Sequence, residues 1–300
     1  PYYLMPYRPG VTTVLTVYDL IPLLFPEHST PRARLLFRWT TALALRAAKV
    51  VIAISEATRA DFLARFRLAA ERIVAIPLAA DPIFRPQPAD AIAAVRARYG
   101  LPERYILYLG SNKPHKNLLR LIEAWRLAIT SFQLPASSLI IAGAWDARYP
   151  EPRARAEALG VGDRVRFLGP VAGADLPALY AGAALFVFPS LYEGFGLPVL
   201  EAMACGAPVV CSNVASLREV TSPPGPLSYE ERGSEEASAA LLVDPLDVGA
   251  LADAIRRVLA DPALADELRA RGLAQAARFS WARTAQETLA VYRRALQAGG

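Results

Sequence analysis

Short uninterrupted apolar runs recur along the chain between turn residues, and this pattern predicts nine buried β-strands. The runs are Val11–Val17, Val50–Ser55, Ile73–Pro77, Tyr105–Gly110, Leu139–Gly143, Val165–Gly169, Leu185–Pro189, Pro208–Ser212 and Leu241–Val243. Most of the stretches between them carry apolar residues at helical spacing, for example Leu118, Leu121, Ile122 and Trp125. Buried strands that alternate with amphipathic helices are typical of parallel sheets covered on both faces, so we predict an α/β fold.

The segment Ala80–Pro88 contains three prolines and few helix formers, which predicts a linker between two doubly wound lobes. A length of 300 residues also favours two domains. We therefore expect a first lobe over residues 1–84, a second over 85–281, and a C-terminal helix over 282–300 that packs back toward the first lobe. Because the first predicted strand follows no helix or glycine-rich turn, we expect the N-terminal lobe to be truncated.

The apolar runs are all shorter than the roughly 20 residues that a membrane-spanning helix needs, and no signal segment opens the chain. From this we expect a cytoplasmic protein. The two thiols, Cys205 and Cys211, have no partners at metal-ligand spacing. We interpret both as small core residues.

The turn that follows the predicted strand Tyr105–Gly110 is a candidate phosphate site. It reads Gly110-Ser111-Asn112-Lys113-Pro114-His115-Lys116-Asn117 and opens a helix. Ligands of open parallel sheets bind at the carboxyl ends of strands, where helix N-termini present free N–H groups. We predict that Lys116 anchors a diphosphate there. The alternative is an ordinary surface lysine, and the residues alone leave both open.

The strongest signal in the sequence lies after the predicted strand Leu185–Pro189. Glu193 falls in the turn, Gly194 and Gly196 follow it, and Glu201 lies one to two turns inside the next helix. Glycines admit a ligand close to the backbone, free N–H groups suit a phosphate or sugar hydroxyl, and the deeper carboxylate suits a ribose diol. The alternative is that Glu193 only complements the helix dipole and that Glu201 is an exposed helix residue.

The stretch from Glu193 to Glu201 resembles the Glu-x7-Glu motif of the retaining GT-B glycosyltransferases, in particular their family 4, mannosyltransferase-like group. Lys116-Asn117-Leu118 is similar to the lysine turn of the same family. The likeness extends over nearly all of the chain, and its other segments are Val17–Pro22, Ala53–Thr58 and Ser280-Trp281. It implies two facing Rossmann-like lobes of the GT-B type.

The resemblance also implies a role for each candidate residue. Glu193 would contact the donor sugar near its reacting carbon, Glu201 would hold the ribose, and Lys116 would neutralise the leaving diphosphate. Tyr18 and Asp19 would lie on the acceptor side, although Tyr18 stands where many relatives have histidine. The other donor-binding candidates are Gly110, Ser111, Asn112, His115, Gly194, Phe195, Gly196 and Leu197.

By this resemblance we expect a retaining hexosyltransferase that takes a hexose from a nucleoside-diphosphate sugar, with mannose suggested by likeness only. Its acceptor would be a glycan or a lipid-linked sugar. We expect no cofactor and no metal ion, since the sequence has no Asp-x-Asp turn of the metal-dependent kind. Thr221–Ala237 is interpreted as an insertion beside the donor site. The alternative is a non-catalytic nucleotide-sugar-binding relic, which Tyr18 and the missing glycine-rich turn would favour.

The excess positive charge lies near the beginning of the chain. Residues 1–85 hold 11 Lys/Arg against 6 Asp/Glu, whereas the other 215 residues hold 22 of each. Within the basic part, Pro31–Lys49 combines apolar and basic residues in a pattern able to lie on the anionic inner face of a membrane. The alternative is a surface helix with its arginines in solvent. We expect no nucleic-acid binding, because the charge is modest and lacks an aromatic-basic platform.

Overall fold

The structure is a computed structural model that describes residues 11–131, 138–223 and 238–297. The strands are β1 (Val14–Val17), β2 (Val50–Ala53), β3 (Ile73–Ala75), β4 (Tyr105–Leu109), β5 (Ser138–Ala142), β6 (Val165–Gly169), β7 (Leu185–Phe188), β8 (Val209–Ser212) and β9 (Leu241–Val243). All nine predicted strands are therefore confirmed, several of them one to three residues shorter than the apolar runs.

Helices follow or separate these strands, as the helical spacing predicts. They are α1 (Ile21–Leu24), α2 (Pro31–Ala47), α3 (Glu56–Arg65), α4 (Ala89–Tyr99), α5 (Leu118–Ser131), α6 (Glu151–Ala158), α7 (Leu176–Ala181), α8 (Leu197–Ala204), α9 (Ala215–Thr221), α10 (Val248–Ala260), α11 (Pro262–Ala276) and α12 (Trp281–Gln297). No helix of the described residues is both long enough and apolar enough to cross a bilayer.

The strands form two parallel sheets, one of three strands in the order β1-β2-β3 and one of six in the order β6-β5-β4-β7-β8-β9. In the larger sheet the chain runs from β4 outward to β6 and then returns to β7 on the other side of β4. From β4 the chain continues to β5 on one side, and from β7 it continues to β8 on the other, so the strand order changes direction between β4 and β7, which is the switch point of the sheet. A crevice at such a point is the usual ligand site of a doubly wound sheet.

The core of the larger sheet explains why its strands are uninterrupted apolar runs. The first four residues of β4 are fully buried, and so is every residue of β7. On α5, Leu121, Ile122 and Trp125 are buried, as their spacing predicts. Cys205 and Cys211 are also buried and form no disulfide, which confirms them as small core residues.

The chain separates into two compact units. The first takes the chain up to Ala79, the three residues Glu193–Phe195 and the chain from Phe279 onward, and the second takes Ala80–Tyr192 and Gly196–Arg278. Ala80–Pro88 contains neither helix nor strand. Of the segment interpreted as an insertion, residues 224–237 lie outside the described residues.

Asn117 ties together the ends of three strands in the second unit. Its side-chain amide donates to the carbonyl of Pro189, just after β7, at 3.0 Å and to that of Pro245, just after β9, at 2.7 Å. Its Oδ1 accepts a hydrogen bond from Arg120 at 3.0 Å. The backbone of Asn117 has a φ of 62°, a left-handed conformation that asparagine tolerates better than most residues.

We expect Asn117→Ala to lower the free energy of unfolding by about 2–4 kcal/mol, because it removes one buried and one partly buried hydrogen bond and places alanine at positive φ. Asn117→Gly accepts the positive φ and removes only the side chain, so it should destabilise the protein less. Urea unfolding of the three proteins measures both effects. An alanine variant as stable as the parent would contradict the structural role of this amide.

Candidate functional site

The turn after β4 and the turn after β7 lie side by side at the switch point of the larger sheet. The backbone N–H of Leu191 donates to the carbonyl of His115 at 2.7 Å. The Nζ of Lys116 lies 5.3 Å from the ring centroid of Phe188, the last residue of β7. We call residues 110–117 the lysine turn and residues 190–196 the glutamate turn. The structure brings the lysine turn and the start of the glutamate turn together, whereas the sequence shows them only as two separate strand ends.

Two residues of the lysine turn are held by the protein itself. The amide of Asn112 donates to the carbonyls of Asp146 and Tyr149 at 2.8 and 2.6 Å, and its Oδ1 accepts the Asp146 N–H at 2.6 Å. Both amide hydrogens of Asn112 are thus committed to the loop after β5, which gives this donor-binding candidate a structural role. His115, another candidate, is buried. Lys116 and Ser111 remain partly exposed.

The second lysine of the turn, Lys113, acts on a different group. The pKa of Asp146 is lowered to about 2, chiefly by hydrogen bonds from Arg148 and to a smaller extent by the charge of Lys113. Since Asp146 belongs to the loop after β5, the two lysines face different surroundings. Lys116 is the one that lies against β7.

Glu193 is buried, with 9% of its surface exposed. It begins a three-residue segment, Glu193–Phe195, that belongs to the first unit. A Cβ added to Gly194 would lie 2.3 Å from the Tyr18 carbonyl oxygen and 3.3 Å from the Cβ of Asp19. The acceptor-side candidates are thus direct neighbours of Gly194. Tyr18 is 56% exposed, whereas the Oδ1 of Asp19 accepts the Ile21 N–H at 2.9 Å at the start of α1.

The structure explains the two glycines of the turn in a way that the sequence interpretation did not foresee. Gly194 has no room for a Cβ beside Tyr18, and a Cβ on Gly196 would lie 2.4 Å from the Leu217 side chain. Gly196 also adopts a φ of 112°, which favours glycine strongly. The protein therefore requires both glycines, the first because of its contact with the Tyr18 backbone and the second because of its backbone conformation, whether or not a ligand approaches them.

Glu201 lies on α8, where its Oε2 accepts a hydrogen bond from the Tyr180 hydroxyl at 3.0 Å. Burial raises the pKa of Glu201 to about 7; the Tyr180 hydrogen bond lowers it, and the nearby charge of Asp81 raises it further. The interpretation of Glu201 as an exposed helix residue is wrong. Tyr180 was missed from the sequence, because nothing in the local pattern of α7 marks it as a partner of a residue 21 positions later.

Tyr180 is fully buried and is fixed by aromatic contacts. Its ring packs edge-on against Phe84 at 5.9 Å and against Phe186 at 5.2 Å between centroids. Burial, followed by the charge of Glu201, raises the pKa of Tyr180 well above its usual value. The hydroxyl is therefore a permanent hydrogen-bond donor to the carboxylate.

Among the described residues, no group of three or more His, Cys, Asp or Glu is placed to hold a metal ion.

Two families of known sequences match the chain. Glycosyl transferases group 1 matches residues 94–275, and Glycosyltransferase Family 4 matches residues 2–84. The O-antigen chain mannosyltransferase B of Escherichia coli is 35% identical over 98% of this chain and 73% of its own length. The serotype-specific mannosyltransferase WbdA of Escherichia coli is 34% identical over 95% of this chain, which spans only 34% of that protein.

Solved structures share the architecture. The structure of Anabaena Alr3699/HepE in complex with UDP and glucose matches with a TM-score of 0.77 and 26% identity, over 94% of this chain and 72% of that one. The two parallel Rossmann-like sheets with their helices are those of GT-B proteins. The chain belongs to the glycosyl transferases of group 1.

Proposed function

We propose that the chain transfers a hexose from a nucleoside-diphosphate sugar to a glycan or lipid-linked acceptor, with retention at the anomeric carbon. The observation that supports this most directly is the pairing of the lysine turn with the turn after β7 at the switch point of the larger sheet. The names of the mannosyltransferase relatives favour mannose as the sugar and a polysaccharide as the product. They do not favour a non-catalytic binding relic.

The reaction breaks the bond between the anomeric carbon and the leaving phosphate oxygen, so negative charge grows on the diphosphate and positive charge on the sugar. Groups placed to meet both charges lower the barrier. In this proposal the Lys116 ammonium and the backbone N–H groups of Gly194, Phe195 and Gly196 stabilise the diphosphate. Glu193 supports the sugar, and the cation of Lys116 supplies the charge that a metal ion supplies in other transferases. The acceptor hydroxyl then bonds to the anomeric carbon on the face that the diphosphate leaves, and its proton passes to the departing phosphate oxygen.

The proposed ribose contact of Glu201 depends on its charge. A carboxylate accepts hydrogen bonds from both hydroxyls of a diol, whereas the protonated acid accepts less well. With a pKa of about 7, the carboxylate is lost as the pH falls below neutrality. The titratable groups around it are Tyr180 on α7, Asp81 in the linker and Cys205 at the C-cap of α8.

Helix α2 supports the proposed contact with a membrane surface. Its outward face carries Leu35, Leu36, Trp39 and Leu43, each at least 50% exposed, which we call the α2 apolar stripe. The opposite face is buried through Thr41, Ala44 and Leu45.

Basic residues flank this stripe. Exposed Arg32 and Arg46 lie seven residues before and after Trp39, which places both on the same helical face, one at each end. Helix α2 contains no acidic residue. An apolar centre with arginines at its ends suits anionic lipid head groups, because arginine stems can extend toward the phosphates while the apolar side chains insert.

Lys116→Ala and Glu193→Gln are each expected to lower the rate of sugar transfer by about 100-fold or more, because each removes a group that meets charge in the transition state. The release of GDP from GDP-mannose measures the rate, and nucleoside-diphosphate release from a panel of other donors measures donor preference. NMR of the product reports its anomeric configuration. Lys113→Ala is the matched control and should lose far less activity. Transfer that survives both substitutions would refute the site, and binding of donor without any turnover would support the relic.

The affinity for the nucleoside-diphosphate sugar should fall as the pH drops below about 7, since Glu201 then becomes protonated. Tyr180→Phe removes a hydrogen bond that favours the carboxylate, so the pKa of Glu201 should rise and the pH midpoint of binding should move upward. Calorimetric titration of GDP-mannose and UDP-glucose between pH 5.5 and 8.5 measures the midpoint, because their esterified diphosphates do not ionise further in this range. Glu201→Gln should abolish this pH dependence, and a midpoint that Tyr180→Phe leaves in place would contradict the coupling.

The chain is expected to bind phosphatidylcholine vesicles only when they contain phosphatidylglycerol, and to be released by salt. Leu35→Ser with Leu43→Ser should weaken the partitioning at least about tenfold, because two leucine side chains no longer enter the lipid. The emission of Trp39 should shift to the blue on binding, and Trp39→Phe assigns that shift. If the chain bound neutral and anionic vesicles equally, or if the double variant bound as well as the parent, α2 would be an ordinary surface helix.

A further inference from the structure

Two hydroxyl groups of the first unit converge on one carbonyl of the glutamate turn. Ser55 Oγ donates to the Gly194 carbonyl oxygen at 2.6 Å, and Thr58 Oγ1 lies 2.9 Å from the same oxygen. Both side chains are buried, with 2% and 1% of their surface exposed. A carbonyl that receives two hydroxyl donors inside the protein is held firmly in one direction.

The remaining bonds of these hydroxyls define which of them is the stronger donor. Ser55 is the N-cap of α3, and its Oγ accepts the Thr58 N–H at 2.9 Å, so its single hydrogen is directed to Gly194. Thr58 also has one hydrogen, but the Tyr18 carbonyl lies 3.1 Å from its Oγ1 as a second acceptor. Thr58 therefore links Tyr18 and Gly194, while Ser55 serves Gly194 alone.

The direction of this carbonyl fixes the next N–H group. The described chain contains no cis peptide bond, and in a planar trans peptide the C=O and N–H point in opposite directions. The Phe195 N–H therefore points away from Ser55 and Thr58, and no described residue accepts a hydrogen bond from it. Phe195 is held as well, since its ring packs edge-on against Phe279 at 6.0 Å.

We propose that Ser55 and Thr58 are positioning residues, which hold the Gly194–Phe195 peptide so that its N–H is directed at an oxygen of the bound diphosphosugar. The proposal rests on the proposed function, because it gives that N–H its ligand. A donor fixed before the substrate arrives needs no reorganisation when charge develops on the phosphate or sugar oxygen. Neither hydroxyl contacts the substrate in this arrangement, and both act only through the peptide.

Thr58→Val keeps the shape of the side chain and removes the hydroxyl, and Thr58→Ser keeps the hydroxyl. We expect Thr58→Val to lower kcat for GDP-mannose about tenfold with KM changed less than about twofold, because the N–H matters most in the transition state. Thr58→Ser should recover most of the loss. Ser55→Ala should lower kcat at least as much. The double variant, Ser55→Ala with Thr58→Val, should lower kcat by less than the product of the two separate losses, since both hydroxyls act on one carbonyl.

The thermal unfolding of each variant separates positioning from stability. A kcat that follows the melting temperature across Thr58→Val, Thr58→Ser and Ser55→Ala, or that Thr58→Val leaves unchanged, would overturn the proposal. If Lys116→Ala and Glu193→Gln strongly lower transfer while Thr58→Val and Ser55→Ala leave kcat unchanged, only the positioning role fails. If Lys116→Ala and Glu193→Gln leave transfer intact, the proposed function itself fails.

Discussion

Hydrogen bonds at the carboxyl ends of β4 and β7 are the constraint on which the candidate site depends. The Leu191 N–H bonds to the carbonyl of His115, and the amide of Asn117 bonds to the carbonyl of Pro189. These bonds join two turns that the sequence separates by more than 70 residues. The bond to Pro189 is buried and cannot be exchanged for water without cost. The two turns therefore keep a fixed position relative to each other, and Lys116 lies on the first of them.

Burial changes the chemistry of the residues around that position. Asn112 and His115 belong to a turn suited to a phosphate, yet the protein itself holds the first by hydrogen bonds and buries the second. Glu201 shows the reverse, since a helix residue that could have been an ordinary surface acid is partly buried and hydrogen-bonded by Tyr180. Its carboxylate is therefore poised to change charge near neutral pH.

Short contacts fix the backbone of the glutamate turn. Within the first unit, Ser55 and Thr58 hold the Gly194 carbonyl, and within the second unit Gly196 is the N-cap of α8. The glycines that look like a ligand-binding signature in the sequence also have structural reasons, since Gly194 packs closely against the Tyr18 carbonyl and Gly196 adopts a φ of 112°. Packing and ligand binding are therefore compatible explanations of the same short motif.

The sequence by itself determined the nine parallel strands and the lysine and glutamate turns at strand ends, because a sheet covered on both faces demands uninterrupted apolar runs. Only the tertiary structure decided that Tyr180 binds Glu201, that Ser55 reaches Gly194 across 139 positions, and that the α2 apolar stripe faces outward. These contacts depend on how distant segments pack. Local periodicity records which face of an element is apolar, but it carries no information about which distant residue that face will meet.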